Sequence, residues 1–124
     1  MRRVIARAER EPYDLRLKIN RRDDDSYDPN TRTVNWDPYS ALRTTGGGNQ
    51  SPALGLGHEL AHAAVSDRTR DRGAAQALAR YDDAEERRVI RGVEMHAART
   101  LGEAIRHDHR GTCFRVASPL ARSA

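Results

Sequence analysis

"SPALGLGHELAHAAVSD", Ser51 to Asp67, opens on a Ser-Pro pair and runs through His58-Glu59-x-x-His62. Ser51 suits an N-cap and Pro52 the first helical position, so the stretch predicts a helix over residues 52–66. Downstream the chain remains helix-compatible near Ala74 to Ala79, over Asp83 to Ile90, and from Val93 to about Arg106. Upstream the pattern changes. "DLRLKIN", Asp14 to Asn20, alternates Leu15, Leu17 and Ile19 with polar residues, the period of a half-buried strand. "RRDDDSYDPNTR" reads as a turn or loop, and "TVNWDP" offers a second short β-prone run around Val34 and Trp36. The two runs predict a hairpin. "TTGGGNQSP", Thr44 to Pro52, carries three glycines and a proline, and reads as a mobile connection, with "GGGNQ" a lid or a linker. Strands first and helices after, with no internal repeat, predict a small α+β fold with a short N-terminal β-hairpin or sheet followed by three or more helices.

Composition bounds what such a chain does. Its 124 residues suit one domain, 1–124, with a modest core, since 37% are apolar and 32% charged. No apolar run approaches the roughly 20 residues that cross a bilayer, and "MRRVIARAERE" lacks the apolar centre of a signal peptide. No membrane span is expected. The net charge of +4 arises from 22 basic residues interspersed with 18 acidic ones, a mixed solvated surface rather than a nucleic-acid footprint. Cys113 is the one cysteine, so it has no internal disulfide partner and no neighbouring motif that would make it a nucleophile. Tyr13, Tyr27, Trp36 and Tyr39 are expected in the core and at its rim, and the Val34 to Asp37 run is a candidate strand for pairing with an extended substrate.

Residues four apart lie one turn apart on a helix, so His58 and His62 can aim imidazole nitrogens at one ion. Glu59, rotated by about 100° from His58, falls where a bound water would sit. Zn²⁺ in a hydrolase takes three protein ligands and keeps one position for water, from which Glu59 would accept a proton as general base. The small apolar residues of "ALGLG" and "AHAAV" are the setting in which such a helix is buried. A metzincin would require Gly and His where Val65 and Arg68 stand, which excludes that class. The third ligand comes from further on, among Glu85, Glu86, Glu94, His96, His107 and His109. The adjacent Glu85-Glu86 pair, taken by itself, reads first as an exposed face bridged to Arg87 to Arg91 and only second as one ligand with one supporting neighbour.

"GHELAHA", then "EERRVIRG", then a Glu followed at fixed offsets by Gly and Arg, resembles the zinc metalloproteases secreted as type III effectors and related toxin domains of Rhs and other polymorphic toxins. The motif order is also similar to that of clostridial neurotoxin light chains. The resemblance spans about Ser51 to His109. It implies a zincin-like domain with Zn²⁺ on His58, His62 and Glu86, and with Glu85 and Glu94 supporting that shell. It places Arg106 and His109 as catalytic residues, with Glu94 holding Arg106. His109 stands where the family has Tyr, and an imidazole N–H can donate to an oxyanion as the phenol does. Glu94 remains the alternative third ligand, and "RHDHR" also suits a charged helix terminus. The implied activity is a zinc endopeptidase, secreted or injected, that cleaves a protein in a target-cell cytosol and is countered by a cognate immunity protein. A non-enzymatic zinc-braced binding module and a zinc hydrolase of a non-protein amide are the competing expectations.

Overall fold

The computed structural model describes residues 14–124, so Tyr13 and the N-terminal basic segment lie outside the described residues. Strands come first and helices after, an α+β arrangement in the predicted order. β1 (Arg16–Ile19), β2 (Ser26–Asp28) and β3 (Thr33–Trp36) form one sheet with β3 in the centre. β4 (Ser40–Arg43) is central in a second sheet between β5 (Asn49–Gln50) and β8 (Thr112–Arg115). A two-stranded ribbon pairs β6 (Ala77–Leu78) with β7 (Asp82–Asp83). The helices are α1 (Pro52–Ala63), α2 (Asp67–Ala74) and a third rod made of α3 (Ala84–Val89), a π-helical turn (Ile90–Glu94) and α4 (Met95–Leu101).

Several local expectations are corrected. The β1 and β3 runs pair in parallel and form no hairpin; the hairpin is β2 with β3, built from the Asp-rich segment read as a loop. Parallel neighbours need a crossover, and β2 supplies it. Alternation in β1 does not bury its apolar side: Leu17 and Ile19 are exposed on this edge strand, while α1 packs chiefly on β2, β3 and β4. β3 is bonded on both sides, which removes Val34 to Asp37 as a strand for pairing with substrate. The glycine-rich stretch is the turn of the β4–β5 hairpin, closed by Thr44 N–H donating to the Gly48 carbonyl at 2.8 Å. The helix placed near Ala74 to Ala79 lies earlier, because Ser66 caps α2 by accepting from the Thr69 N–H at 3.2 Å. α4 stops short of Arg106: Gly102, at φ 68°, turns the chain into the left-handed region and lets the Glu103 N–H close on the Ala98 carbonyl at 2.8 Å.

The core is thin and built on alanine. Ala61 and Ala64 of and beside α1 meet Val89, and Leu54 meets Ala97 and Ala98 on α4. Small side chains let the two helices approach closely, which brings the polar residues between them within bonding reach. The Trp36 indole N–H donates to the Pro52 carbonyl at 2.8 Å and ties β3 to the start of α1. Tyr27, Trp36 and Tyr39 are all half-buried, at the rim of this core. At its other end the His62 carbonyl of α1, at 2.7 Å, and the Val65 carbonyl just beyond the helix, at 2.6 Å, accept from the buried Arg70 guanidinium, where a cation suits the helix dipole.

Candidate metal centre

α1 carries His58, Glu59 and His62, all buried, and the third rod crosses it with Glu85, Glu86 and Glu94 turned inward. α1 begins at Pro52 in the predicted position, but the Ser51 hydroxyl bonds the Glu103 carboxylate at 2.8 Å instead of capping the helix. Asp83 caps α3 by accepting from the Glu86 N–H at 2.9 Å, which sets the face the rod presents to α1. α2 touches α3 at Gly73, where a Cβ would lie 2.9 Å from the Glu85 backbone nitrogen. Any side chain at Gly73 would push Glu85 away from His62.

The Nε2 atoms of His58 and His62 lie 3.2 Å apart. The Glu86 carboxylate spans both, at 2.8 Å from His58 Nε2 and 3.0 Å from His62 Nε2. A tetrahedral ion with ligands at about 2.0–2.1 Å has donor–donor edges of about 3.3 Å, so these three donors have the spacing of one metal's ligands. Each imidazole is held from behind. His58 Nδ1 meets Glu94 at 2.8 Å, and His62 Nδ1 meets Glu85 at 2.7 Å. Carboxylates behind ligating histidines fix the ring and raise its basicity. Glu94 is in turn gripped by Arg106 Nε at 2.9 and 3.0 Å and Nη2 at 2.7 Å, and Gln50 reaches it at 3.4 Å. Arg88 grips Glu85 with two bonds of 2.8 Å.

Charge agrees with the spacing. Arg88 and Arg106 offset Glu85 and Glu94, whereas Glu59 and Glu86 have no arginine partner among the described residues, so the positive charge facing Glu86 comes from the histidines, whose protons a bound cation would replace. A divalent cation is the complement of that set. Glu59 belongs to none of these pairs; its carboxylate lies within 4.8 Å of donor atoms on both rings and lines an open cleft of about 200 Å³. His58, Glu86 and His109 form a second such donor group.

Protonation follows the same contacts. Burial raises the Glu59 carboxyl above its ordinary range. Burial opposes the charged form of Glu86, yet the hydrogen bonds from His58 and His62 outweigh it and hold the carboxyl far below that range. Glu94, buried but bonded by His58 and Arg106, is lowered to about 2. Glu85 is also lowered, its burial overcome by Arg88 and His62. Burial alone would depress His62, but Glu85 and Glu86 push it up to about 9; His58 is likewise raised by Glu86 and Glu94 against its burial. Burial pushes Asp25, across the cleft, up to about 7.

An imidazole must shed its proton to bind a metal, so binding below about pH 9 expels the His62 proton. Apparent affinity should therefore rise with pH through the neutral range and level off above about 9. Calorimetry in buffers of different ionisation enthalpy should read at least one proton released per ion at neutral pH. Uptake without proton release would show that the rings are not the ligands.

The remaining sequence candidates divide sharply. His96 and His107 are exposed and belong to no donor group among the described residues. The surface reading of Glu85-Glu86 is corrected, since Glu85 is buried and Glu86 half-buried at the donors. Arg106 is buried with its guanidinium engaged by Glu94 and 3.2 Å from His58 Nδ1, behind the ring rather than free on the substrate side. His109 has a carboxylate at each nitrogen, Asp82 at 2.6 Å from Nδ1 and Glu86 at 3.2 Å from Nε2. Gln50, Asp25 and Asp82 are not singled out by the sequence, and Arg88 only within the Arg87 to Arg91 run expected to bridge Glu85-Glu86. Only Asp82 leaves a signal there, as the first of two aspartates ahead of α3.

Compared with known proteins, the chain matches no family model, and no curated protein and no solved structure is significantly similar to it. The likeness to effector peptidases thus stands on the His58-Glu59-x-x-His62 spacing and the burial of that group alone. No helix among the described residues is long and apolar enough to cross a membrane.

Proposed function

We propose that the domain is a zinc-dependent endopeptidase, with His58, His62 and Glu86 as ligands and Glu59 as general base. The observation that carries this reading is the convergence of two carboxylate-backed imidazoles on Glu86, with Glu59 left unengaged beside them at an open cleft. Zinc, when bound, supplies Lewis acidity that acidifies water and polarises a carbonyl. Glu59 receives the proton of the attacking water and passes it to the leaving amine, a task suited to a carboxylate whose proton affinity burial has raised. Glu94 and Glu85 hold the rings, and Arg106 positions Glu94. Among the described residues β8 pairs with β4 alone and its Cys113 lines the cleft, so an extended substrate would pair with the other edge of that strand.

The setting we propose is an effector or toxin domain, secreted or injected, that cleaves a protein in a target cell and is matched by an immunity protein. Expression in a bacterial cytosol should slow growth, and Glu59→Gln should relieve it. Equal inhibition by both forms would favour a metal-braced binding module over an enzyme.

A further inference from the structure

Three imidazole nitrogens converge on the Glu86 carboxylate: His58 Nε2 at 2.8 Å, His62 Nε2 at 3.0 Å and His109 Nε2 at 3.2 Å. Each of these rings also presents Nδ1 to its own carboxylate, Glu94 at 2.8 Å, Glu85 at 2.7 Å and Asp82 at 2.6 Å. His109 therefore repeats, on a different part of the chain, the arrangement of the two histidines of α1. We infer that His109 is a metal ligand, completing a set of three imidazoles and Glu86 around one zinc-like dication. The inference rests on the metal reading of the site proposed above.

The placement of the ring suits a ligand. Asp82 lies at Nδ1 and can accept a hydrogen bond from a proton kept there, which would leave Nε2, on the Glu86 side, as the atom that meets a cation. The ring is held in place from two further sides. It stacks on His58 with centroids 5.6 Å apart and planes 7° from parallel, and its backbone N–H donates to the Arg80 carbonyl at 2.8 Å. The donor atoms of His58, Glu86 and His109 already lie within 4.8 Å of one another.

If zinc were held by all four donors, water would reach the ion only where one of them gave way. His109 is the ligand placed to leave. Its side chain is 30% exposed and sits beyond the end of α4, whereas those of His58 and His62 are 3% and 7% exposed on a helix.

X-ray absorption at the zinc edge tests this, because multiple scattering counts imidazoles independently of activity. Zinc-loaded protein should show three imidazoles, His109→Ala should keep its zinc with two, and His107→Ala should remain at three. Asp82→Asn, which leaves the ring in place, should retain three and weaken zinc by about 10-fold through loss of the supporting carboxylate. Two imidazoles in the unaltered protein, unchanged in His109→Ala, would overturn the inference while leaving the metal site standing. Unchanged zinc affinity in Asp82→Asn would remove the argument from the carboxylate. Failure of the unaltered protein to take up zinc at all would instead sink the metal reading of the whole site.

Discussion

Glu59→Gln should hold its zinc and lose proteolysis by about 10³-fold or more, near the upper part of the range general-base catalysis contributes. Glutamine keeps the shape and the hydrogen-bonding oxygen but cannot accept a proton. The site can tolerate the exchange because Glu59 belongs to none of the pairs that hold the histidines, and because burial already disfavours its charged form. Cleavage of a mixed peptide library read by mass spectrometry, with zinc measured on the same preparation, separates the outcomes. A Glu59→Gln variant that cleaves as fast as the unaltered protein would end the role of Glu59 as base. Loss of zinc from that variant would make Glu59 a ligand, the alternative that its 4.8 Å grouping with His58 and His62 raises.

The second large effect separates Glu86 from Glu94. Glu86→Ala should lose most of its metal affinity, as should His58→Ala or His62→Ala, because each removes one of the donors held between the two helices, which the more exposed His109 cannot replace. Glu94→Gln should keep the metal at an affinity about 10- to 100-fold weaker, since it alters only the support behind His58. Glu94→Ala adds a different injury. It leaves Arg106 buried without its carboxylate, and removing one partner of a buried ion pair costs about 3–5 kcal/mol. Equilibrium dialysis beside thermal unfolding distinguishes lost ligation from lost folding. Full metal in Glu86→Ala and none in Glu94→Gln would transfer the third ligand to Glu94.

Much of this centre was legible in the chain because its core is local. His58, Glu59 and His62 lie on one helix, so the 3.6-residue period alone places them, and Ser51-Pro52 marks where that helix starts. Glu85 and Glu86 were visible as a pair, but two readings survived, since a helix can turn such a pair to water or to a partner. The burial of Glu85 and the inward turn of Glu86 came from the opposing helix and from the contact at Gly73.

Strand pairing was less legible. The alternation of Leu15, Leu17 and Ile19 predicted a strand correctly, but which face a strand buries depends on what packs against it, and β1 lies at an edge while α1 packs chiefly on β2, β3 and β4. The parallel partner of β1 and the closed turn at Gly46 to Gly48 are likewise long-range or turn-specific outcomes.

By itself the sequence determined an α+β order of elements and a helix carrying a paired-histidine motif with its glutamate, because periodicity and caps act within a few residues. Tertiary structure decided how distant groups meet. Glu94 lies eight residues after Glu86, about 80° round a regular α-helix, and the extra residue of the π-turn at Ile90–Glu94 takes back about 100°, returning both carboxylates to the His58 side. Asp82, from the β6–β7 ribbon, and His109, from the chain beyond α4, meet each other and Glu86 only through packing, for no spacing rule connects a strand end to a loop 27 residues away.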